Sequence, residues 1–295
     1  MKLTEAQVKQ FETDGVLIAE KIFTDNDLQP VIDELTEWVD QRAKTLLAEG
    51  KITELYEGAA FDERIAHLAA ASPEAQTGMD IMYILGERMF RFLHNPNLLE
   101  AVACLVGENI SCNPIQHVRA KQPDDGRKDY FGNVPWHQDS GVTWEEADAS
   151  NIVTCWIPLV DACVENGCMK MIPGVKSSGH LEHVSGPGGT TIRPDLLPGT
   201  EPIVGECPKG GVIFMDKTTP HVGLPNTRQN HARWTLDLRY QPADTPSGRP
   251  FHPSFIVKYP LIPSREMHDV ERWRSMWREA LANTKSAFGH RVTKK

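Results

Sequence analysis

What this 295-residue chain lacks narrows its nature before any motif is read. No apolar run approaches the ~18 residues of a membrane-spanning helix, so no membrane partner is expected. Basic residues are in deficit: 31 Lys and Arg against 40 Asp and Glu give a formal charge of −9. A general nucleic-acid binder has the opposite balance, because it must neutralise phosphates, so no nucleic-acid partner is expected either. The six cysteines form no CxxC pair and no zinc-finger spacing. They read as buried thiols of a reducing compartment, and a cytoplasmic location is the expectation. The opening "MKLTEAQVKQF" turns polar and acidic at once, unlike a secretory leader. Low-complexity tracts, internal repeats and Gly/Ser/Pro-rich linkers are missing too. One domain over residues 1–295 is the economical organisation.

The first third of the chain has helical texture. "TEAQ", Thr4 to Gln7, has the form of a capping box opening a short amphipathic helix. Leu28, Ile32, Leu35, Val39 and Leu46 recur near helical spacing until Gly50 offers a stop. Two further helices are expected around residues 61–71 and 79–105. From Asn109 short β-prone runs alternate with turns: "NISCNPIQHVRA", "NIVTCWIPLV", "CMKMIPG", "EPIVGEC", "GGVIFMD" and "RWTLDLRYQ". Such strands without intervening helices predict an antiparallel sandwich or barrel. Two long loops, 121–134 and 174–201, interrupt it, and loops of that length are usually functional. A last helix carries Met267, Val270, Trp273 and Trp277 on one side, suited to packing against the sheet. The tail "SAFGHRVTKK" reads as frayed and without a role. The expected layout is a helical buttress over about 1–107, a β core over about 108–260 and a closing helix over about 264–283.

Within the β half, "VPWHQDSGVTW" (Val134 to Trp144) sets His137 and Asp139 one residue apart. On a strand, residues i and i+2 point to one face, so an imidazole and a carboxylate would converge. A polar turn with a surface His and Asp is the other reading of this stretch. His221, 84 residues further on, follows a β-prone run and a turn. Together the three make a 2-His-1-carboxylate set, which holds non-haem iron(II) and leaves coordination positions open. A structural zinc site is more often closed by four protein ligands. Arg233 follows His221 by 12 residues and opens "RWTLDLRY". On a strand, Arg233, Thr235, Asp237 and Arg239 share one face, and Trp234, Leu236, Leu238 and Tyr240 the other. An inward guanidinium beside a metal is costly unless an anion meets it. A carboxylate-bearing cosubstrate would supply that anion in a bidentate pair, with Thr235 adding a hydroxyl.

These pieces, taken in order, resemble the phytanoyl-CoA dioxygenase family of iron(II)- and 2-oxoglutarate-dependent oxygenases. The pieces are "WHQD" at 136–139, "NGCMKMIPGVKSSGH" at 166–180, and "PHVGLPN" with its following arginine; the likeness runs from "LTEAQVKQFETDGVLIAEKIF" to "RWTLDLRYQ". The resemblance implies a mainly β fold with flanking helices: a double-stranded β-helix, or cupin-like jelly roll. It implies that His137, Asp139 and His221 are the catalytic iron ligands and that Arg233 binds the far carboxylate of 2-oxoglutarate. Trp156, in "TCWIPL", matches a family tryptophan near that cosubstrate, with core packing as its alternative role. The spacing from His221 to Arg233 is about one residue longer than the family's, and Arg228 is the second candidate. The implied reaction uses dioxygen to hydroxylate an unactivated C–H bond of a small organic molecule, with succinate and carbon dioxide as coproducts. Two alternatives are a halogenase, which leaves out the carboxylate that Asp139 supplies, and a non-catalytic cupin-like protein binding a metal or small molecule.

For the substrate itself the candidates are His117 and Lys121, on or after a β-prone run that could face the cavity, with Arg119 between them. Arg239 shares the face of Arg233, and Gln138 would contribute if the backbone twists it inward. His180 and His183 lie in the 174–201 loop. The two long loops are expected to frame the cavity mouth, with seven Asp/Glu against four Lys/Arg over 117–150 and three against two over 174–201. That balance predicts a free small molecule rather than a coenzyme A thioester, whose phosphates call for clustered cations.

Overall fold

The computed structural model describes residues 1–124, 126, 134–186, 188–284 and 289–292. Among the described residues there are seven α-helices: α1 (Glu5–Asp14), α2 (Asp25–Ala48), α3 (Phe61–Ala71), α4 (Ile81–Ile84), α5 (Glu87–Phe92), α6 (Pro96–Val106) and α7 (Val270–Asn283). The capping box opens α1 as expected: Thr4 Oγ1 accepts from the Gln7 N–H at 3.3 Å and Gln7 Oε1 accepts from the Thr4 N–H at 2.9 Å. The apolar spacing of α2 buries Leu28, Val31, Ile32, Leu35 and Val39 along one stripe.

The expected helix over 79–105 is instead three short ones, α4, α5 and α6. Leu85 takes a left-handed φ of 49°, which ends α4. The Glu34 carboxylate of α2 accepts the N–H groups of Arg88 and Met89 at 2.9 Å each, giving α5 its own start. Asn95 then caps α6 by accepting from Asn97 and Leu98, with Pro96 at the first helical position. Local capping wins over a continuous apolar period.

The strands are β1 (Val16–Ala19), β2 (Ile110–Cys112), β3 (His117–Lys121), β4 (Val153–Pro158), β5 (Met169–Met171) and β6 (His183–Gly186). They continue as β7 (Gly189–Ile192), β8 (Ile203–Gly205), β9 (Val212–Asp216), β10 (His221–Gly223), β11 (Arg233–Pro242) and β12 (Phe255–Lys258). The main sheet has the order β1-β9-β4-β11-β2-β12, with β3 also on β11; a smaller sheet runs β10-β5-β8; β6 and β7 form a hairpin. All of these pairings are antiparallel. The result is a jelly roll with helices on one side of its larger sheet. Strand β1 corrects the helical reading of the first third, since "VLIA" pairs with β9 at the sheet's edge. The hairpin β6–β7 likewise gives structure to the stretch expected as a loop over 174–201.

The alternation in β11 organises the interior. Trp234, Leu236, Leu238 and Tyr240 enter the same apolar core as the buried stripe of α2 and Trp273 and Trp277 of α7. Burial of such side chains contributes about 1.5–3 kcal/mol each. Helix α7 leans on α5, where Trp273 and Phe90 have ring centroids 5.2 Å apart. The other face of β11 looks into a cavity between the two sheets. Among the described residues no helix is long and apolar enough to cross a membrane.

Candidate active site

The motif residues meet at one end of this cavity. His137 and His221 are joined by reciprocal backbone hydrogen bonds of 3.0 and 2.9 Å, a single bridge that extends the edge of β10. Gln138 is extended (φ −114°, ψ 147°), so the side chains on either side of it emerge together; a single 3-10 turn, Asp139–Val142, begins at once. The convergence expected of a strand is thus produced by one extended residue. One ligand atom from each of His137, Asp139 and His221 lies within 4.8 Å of the others, and the three could hold a metal ion.

The surroundings aim these ligands. Each imidazole donates its Nδ1–H to the carbonyl two residues earlier, His137 to Pro135 and His221 to Thr219, both at 2.9 Å. The Nε2 lone pairs are left for the metal, the usual arrangement around a ligating histidine. Burial, and then the neighbouring His221, push the His137 imidazole down to about 3, so the ring is neutral, as a ligand must be. Burial alone would raise the Asp139 carboxyl, but Arg239 and His221 outweigh it and hold Asp139 well below the usual carboxylate range. Arg239 Nη2 donates to Asp139 Oδ1 at 2.5 Å, and the Thr154 hydroxyl donates to Oδ2.

Away from the metal ligands the cavity, about 1440 Å³, is lined on one wall by Arg233, Asp237 and Arg239 of β11 and by Trp156 of β4. Arg233 is 4 % exposed; its guanidinium lies 4.9 Å from the centre of the Trp156 ring, and Nη1 donates to the Gly167 carbonyl. Burial lowers it to about 10, so it stays charged at neutral pH. Its Nε has no partner among the described residues, and neither do the Thr235 hydroxyl, Asp237 Oδ1 and Arg239 Nε on the same face. A buried cation with an unused donor suits an anionic ligand. Arg228 is exposed on the turn before β11 and does not line the cavity.

The substrate candidates fare differently. Lys121 lines the cavity beside Arg233. Arg239 lines it too, but two of its nitrogens are committed to Asp139 and to the Ile115 carbonyl, so it supports the carboxylate ligand and does not wait for substrate. Gln138 is a correction: it is fully buried, its amide nitrogen donates to the Gly179 and Thr218 carbonyls, and its oxygen accepts from Leu181, all away from the cavity. His117 is another correction, for it turns to Asp80 at 2.8 Å and does not line the cavity. His180 and His183 stack on each other with centroids 5.0 Å apart, and His183 Nε2 accepts from the Gln138 N–H.

None of the described residues of 174–201 lines the cavity; helix α3 and the turn after it supply that wall, with Ala66, Ala69, Ala70, Pro73 and Met79. The acid count over 174–201 therefore has no bearing on the cavity mouth. Of the other loop, Lys121, Gln122, Pro123, Asp124 and Val134 line the cavity, while residues 125 and 127–133 lie outside the described ones.

Two supports, Thr154 and Arg291, were missed from sequence, and a third, Arg239, was expected at the substrate instead. Thr154 and Arg239 flank Asp139, and only the alternation of β11 hinted at Arg239. Arg291, from the tail, donates to the Thr143 carbonyl at 2.5 Å and pairs with Asp148, while its N–H reaches the Gly141 carbonyl at 2.8 Å. It pins the turn that follows Asp139, and no sequence signal pointed to it.

Comparison with known proteins agrees with this geometry. The family model described as phytanoyl-CoA dioxygenase (PhyH) matches residues 11–233. Phytanoyl-CoA dioxygenase domain-containing protein 1 of Bos taurus is 26% identical over 226 residues, covering 68% of this chain and 75% of that protein. The peroxisomal phytanoyl-CoA dioxygenase of Homo sapiens is 25% identical over 182 residues, 61% of this chain and 50% of that protein. Among solved structures, the non-heme monooxygenase ThoJ superposes with a TM-score of 0.60 at 15% identity, covering 95% of this chain and 98% of its own. The epimerase SnoN, solved with Fe3+, alpha ketoglutarate and nogalamycin RO, gives 0.56 at 19% identity, covering 83% and 86%. At such identities the structural likeness speaks for the fold, while the matched family model spans most of the chain. The chain belongs to the phytanoyl-CoA dioxygenase family.

Proposed function

We propose that this protein is an iron(II)- and 2-oxoglutarate-dependent dioxygenase that hydroxylates an unactivated C–H bond of a small organic molecule. The observation that carries the proposal is the convergence of His137, Asp139 and His221, each aimed or charged by a fixed neighbour, at one end of a cavity whose wall holds the buried cation Arg233. The donor set fits iron(II): two neutral imidazoles and one carboxylate leave open positions and one net positive charge. Iron(II) with dioxygen and 2-oxoglutarate would supply the oxidising power, the keto acid leaving as succinate and carbon dioxide. Arg233 would anchor the far carboxylate by its planar fork, with Trp156 stacked on it. Arg239 and Thr154 would keep Asp139 ionised and oriented, and Ala66, Ala69 and Ala70 would offer the substrate a smooth apolar wall.

The fold is shared with an alpha ketoglutarate dependent epimerase, an alpha ketoglutarate dependent carbocyclase and a non-heme monooxygenase, which supports the reaction class. Two of the four cations of the described wall are paired with carboxylates, Arg119 with Asp237 at 2.7 Å and Arg239 with Asp139, which favours a free small molecule over a coenzyme A thioester. The test is anaerobic reconstitution with iron(II), followed by succinate measurement and a mass-spectrometric screen that includes matched acyl-coenzyme A thioesters, free acids, amines and alcohols. One iron per chain and iron-dependent succinate are expected, with a 16-dalton gain on a free small molecule. Succinate formation that is independent of iron, or none under any condition, overturns the proposal.

A further inference from the structure

We propose that Arg291, in the C-terminal tail, is a positioning residue for the metal centre: the tail docks on the turn that follows Asp139, and docking and iron binding strengthen each other. This rests on the iron reading above. Asp139 opens a 3-10 turn of four residues, Asp139–Val142. So short a turn makes few hydrogen bonds of its own, and the carbonyls at its end need partners from elsewhere. Two arginines supply them. The Arg291 N–H donates to the Gly141 carbonyl at 2.8 Å, and Arg249 Nε donates to that of Val142 at 2.7 Å. Arg291 Nε then donates to the Thr143 carbonyl at 2.5 Å and Nη2 to that of Trp144 at 3.4 Å. Every carbonyl from Gly141 to Trp144 is thus held by one of the two arginines. Asp148 aims the Arg291 guanidinium, accepting from Nη1 at 3.0 Å and from Nη2 as well, and this pairing holds the Asp148 carboxyl below the usual carboxylate range.

The segment that Arg291 grips is bound to the rest of the metal site. A Cβ at Gly141 would come within 2.9 Å of the His183 ring, whose Nε2 accepts from the Gln138 N–H just before Asp139. Lys217, in the turn that leads to His221, donates from Nζ to the carbonyls of Ala147, Asp148 and Ser150 at 2.5, 2.6 and 2.7 Å. Its own carbonyl accepts the Ser140 N–H at 2.8 Å. Movement of 141–148 would therefore reach both the Asp139 and the His221 ligand. The tail is seated by more than Arg291: His290 Nδ1 meets Thr190 Oγ1 of β7 at 3.1 Å, and a Cβ at Gly289 would collide with the Arg249 guanidinium. No described residue of 141–148 or 289–292 lines the cavity, so Arg291 acts through the turn and does not touch substrate. If the turn must be ordered as the metal binds, affinity falls by that ordering cost, and a docked tail removes it in advance. Such a coupling is reciprocal: iron must favour the docked tail by the factor with which the tail favours iron.

The experiment titrates iron(II) anaerobically into the full chain, read by calorimetry, for wild type, Arg291→Ala, Arg291→Lys, Asp148→Ala and the double alanine variant. Arg291→Ala should bind iron about tenfold more weakly, the low end for loss of a group that supports a metal ligand. Arg291→Lys should recover only part of this, since an ammonium cannot serve Thr143, Trp144 and Asp148 in one plane. Asp148→Ala should weaken binding less and add little to Arg291→Ala, because both remove the same pairing. Hydrogen exchange on wild type reads the reverse direction: iron should raise protection of the Arg291 amide by about the same tenfold. That measurement needs no variant, so it decides the matter if Arg291→Ala does not fold. Iron affinity unchanged in Arg291→Ala, or Arg291 amide protection unchanged by iron, overturns the positioning role and leaves the iron reading intact. Failure of wild type to bind iron(II) would overturn the reading beneath it.

Discussion

The two faces of β11 are buried about equally and by opposite means. Trp234, Leu236, Leu238 and Tyr240 are each 0% exposed, and their polar atoms are placed: the tyrosine hydroxyl donates to the Leu93 carbonyl at 3.0 Å and the indole N–H to Phe61 at 3.3 Å. The alternate face holds Arg233, Thr235, Asp237 and Arg239, each with one buried polar atom that no described residue meets. An apolar face is complete once water is excluded. A charged face excluded from water is incomplete until something supplies the missing partners. One strand thus carries stability on one side and the demand for ligands on the other.

The largest effect is expected where the polar face meets the metal ligands. His221→Ala and Asp139→Ala should each abolish iron binding and succinate formation, measured by metal analysis after anaerobic reconstitution. They should differ in stability. Asp139→Ala leaves the Arg239 guanidinium buried without its carboxylate, at a cost of about 3–5 kcal/mol in urea unfolding, a penalty that His221→Ala escapes. Equal unfolding midpoints for the two variants would break the assigned partnership.

On the apolar face, Trp234→Ala should cost about 3–5 kcal/mol of stability through the cavity it leaves. The affinity of the folded fraction for 2-oxoglutarate should stay within a small factor of wild type. A large change in binding would show that the two faces are not independent. Arg233→Met should give the reverse pattern, weakening 2-oxoglutarate by about 2–5 kcal/mol with little change in melting temperature. Arg233→Lys should rescue poorly, because an ammonium lacks the planar fork. An unaltered KM for 2-oxoglutarate in Arg233→Met would move the anchor to another residue.

Much of this was legible in the chain. The capping box at Thr4, the stripe of α2 and the alternation of β11 are patterns among neighbours, and the structure realises each of them. His137, Asp139, His221 and Arg233 stood out because their residue types are chemically uncommon together, and the fold brings them to one cavity. Strand β1 was hidden because "VLIA" is equally apolar in a helix, and only β9 supplies the hydrogen bonds that make it a strand. The division of 79–105 into three helices depends on Glu34, more than fifty residues away in sequence from the N–H groups it caps.

By itself the sequence determined which stretches alternate, where helices can start, and which few side chains have the chemistry of a metal and carboxylate site. These are local properties, set by the pitch of a helix and the pleat of a strand. Tertiary structure alone decided that Arg239 serves Asp139 from 100 residues away, that Gln138 and His117 turn from the cavity, and that Lys121 faces Arg233. A charge acquires its role from what replaces its water, and the replacement comes from parts of the chain that no sequence window contains.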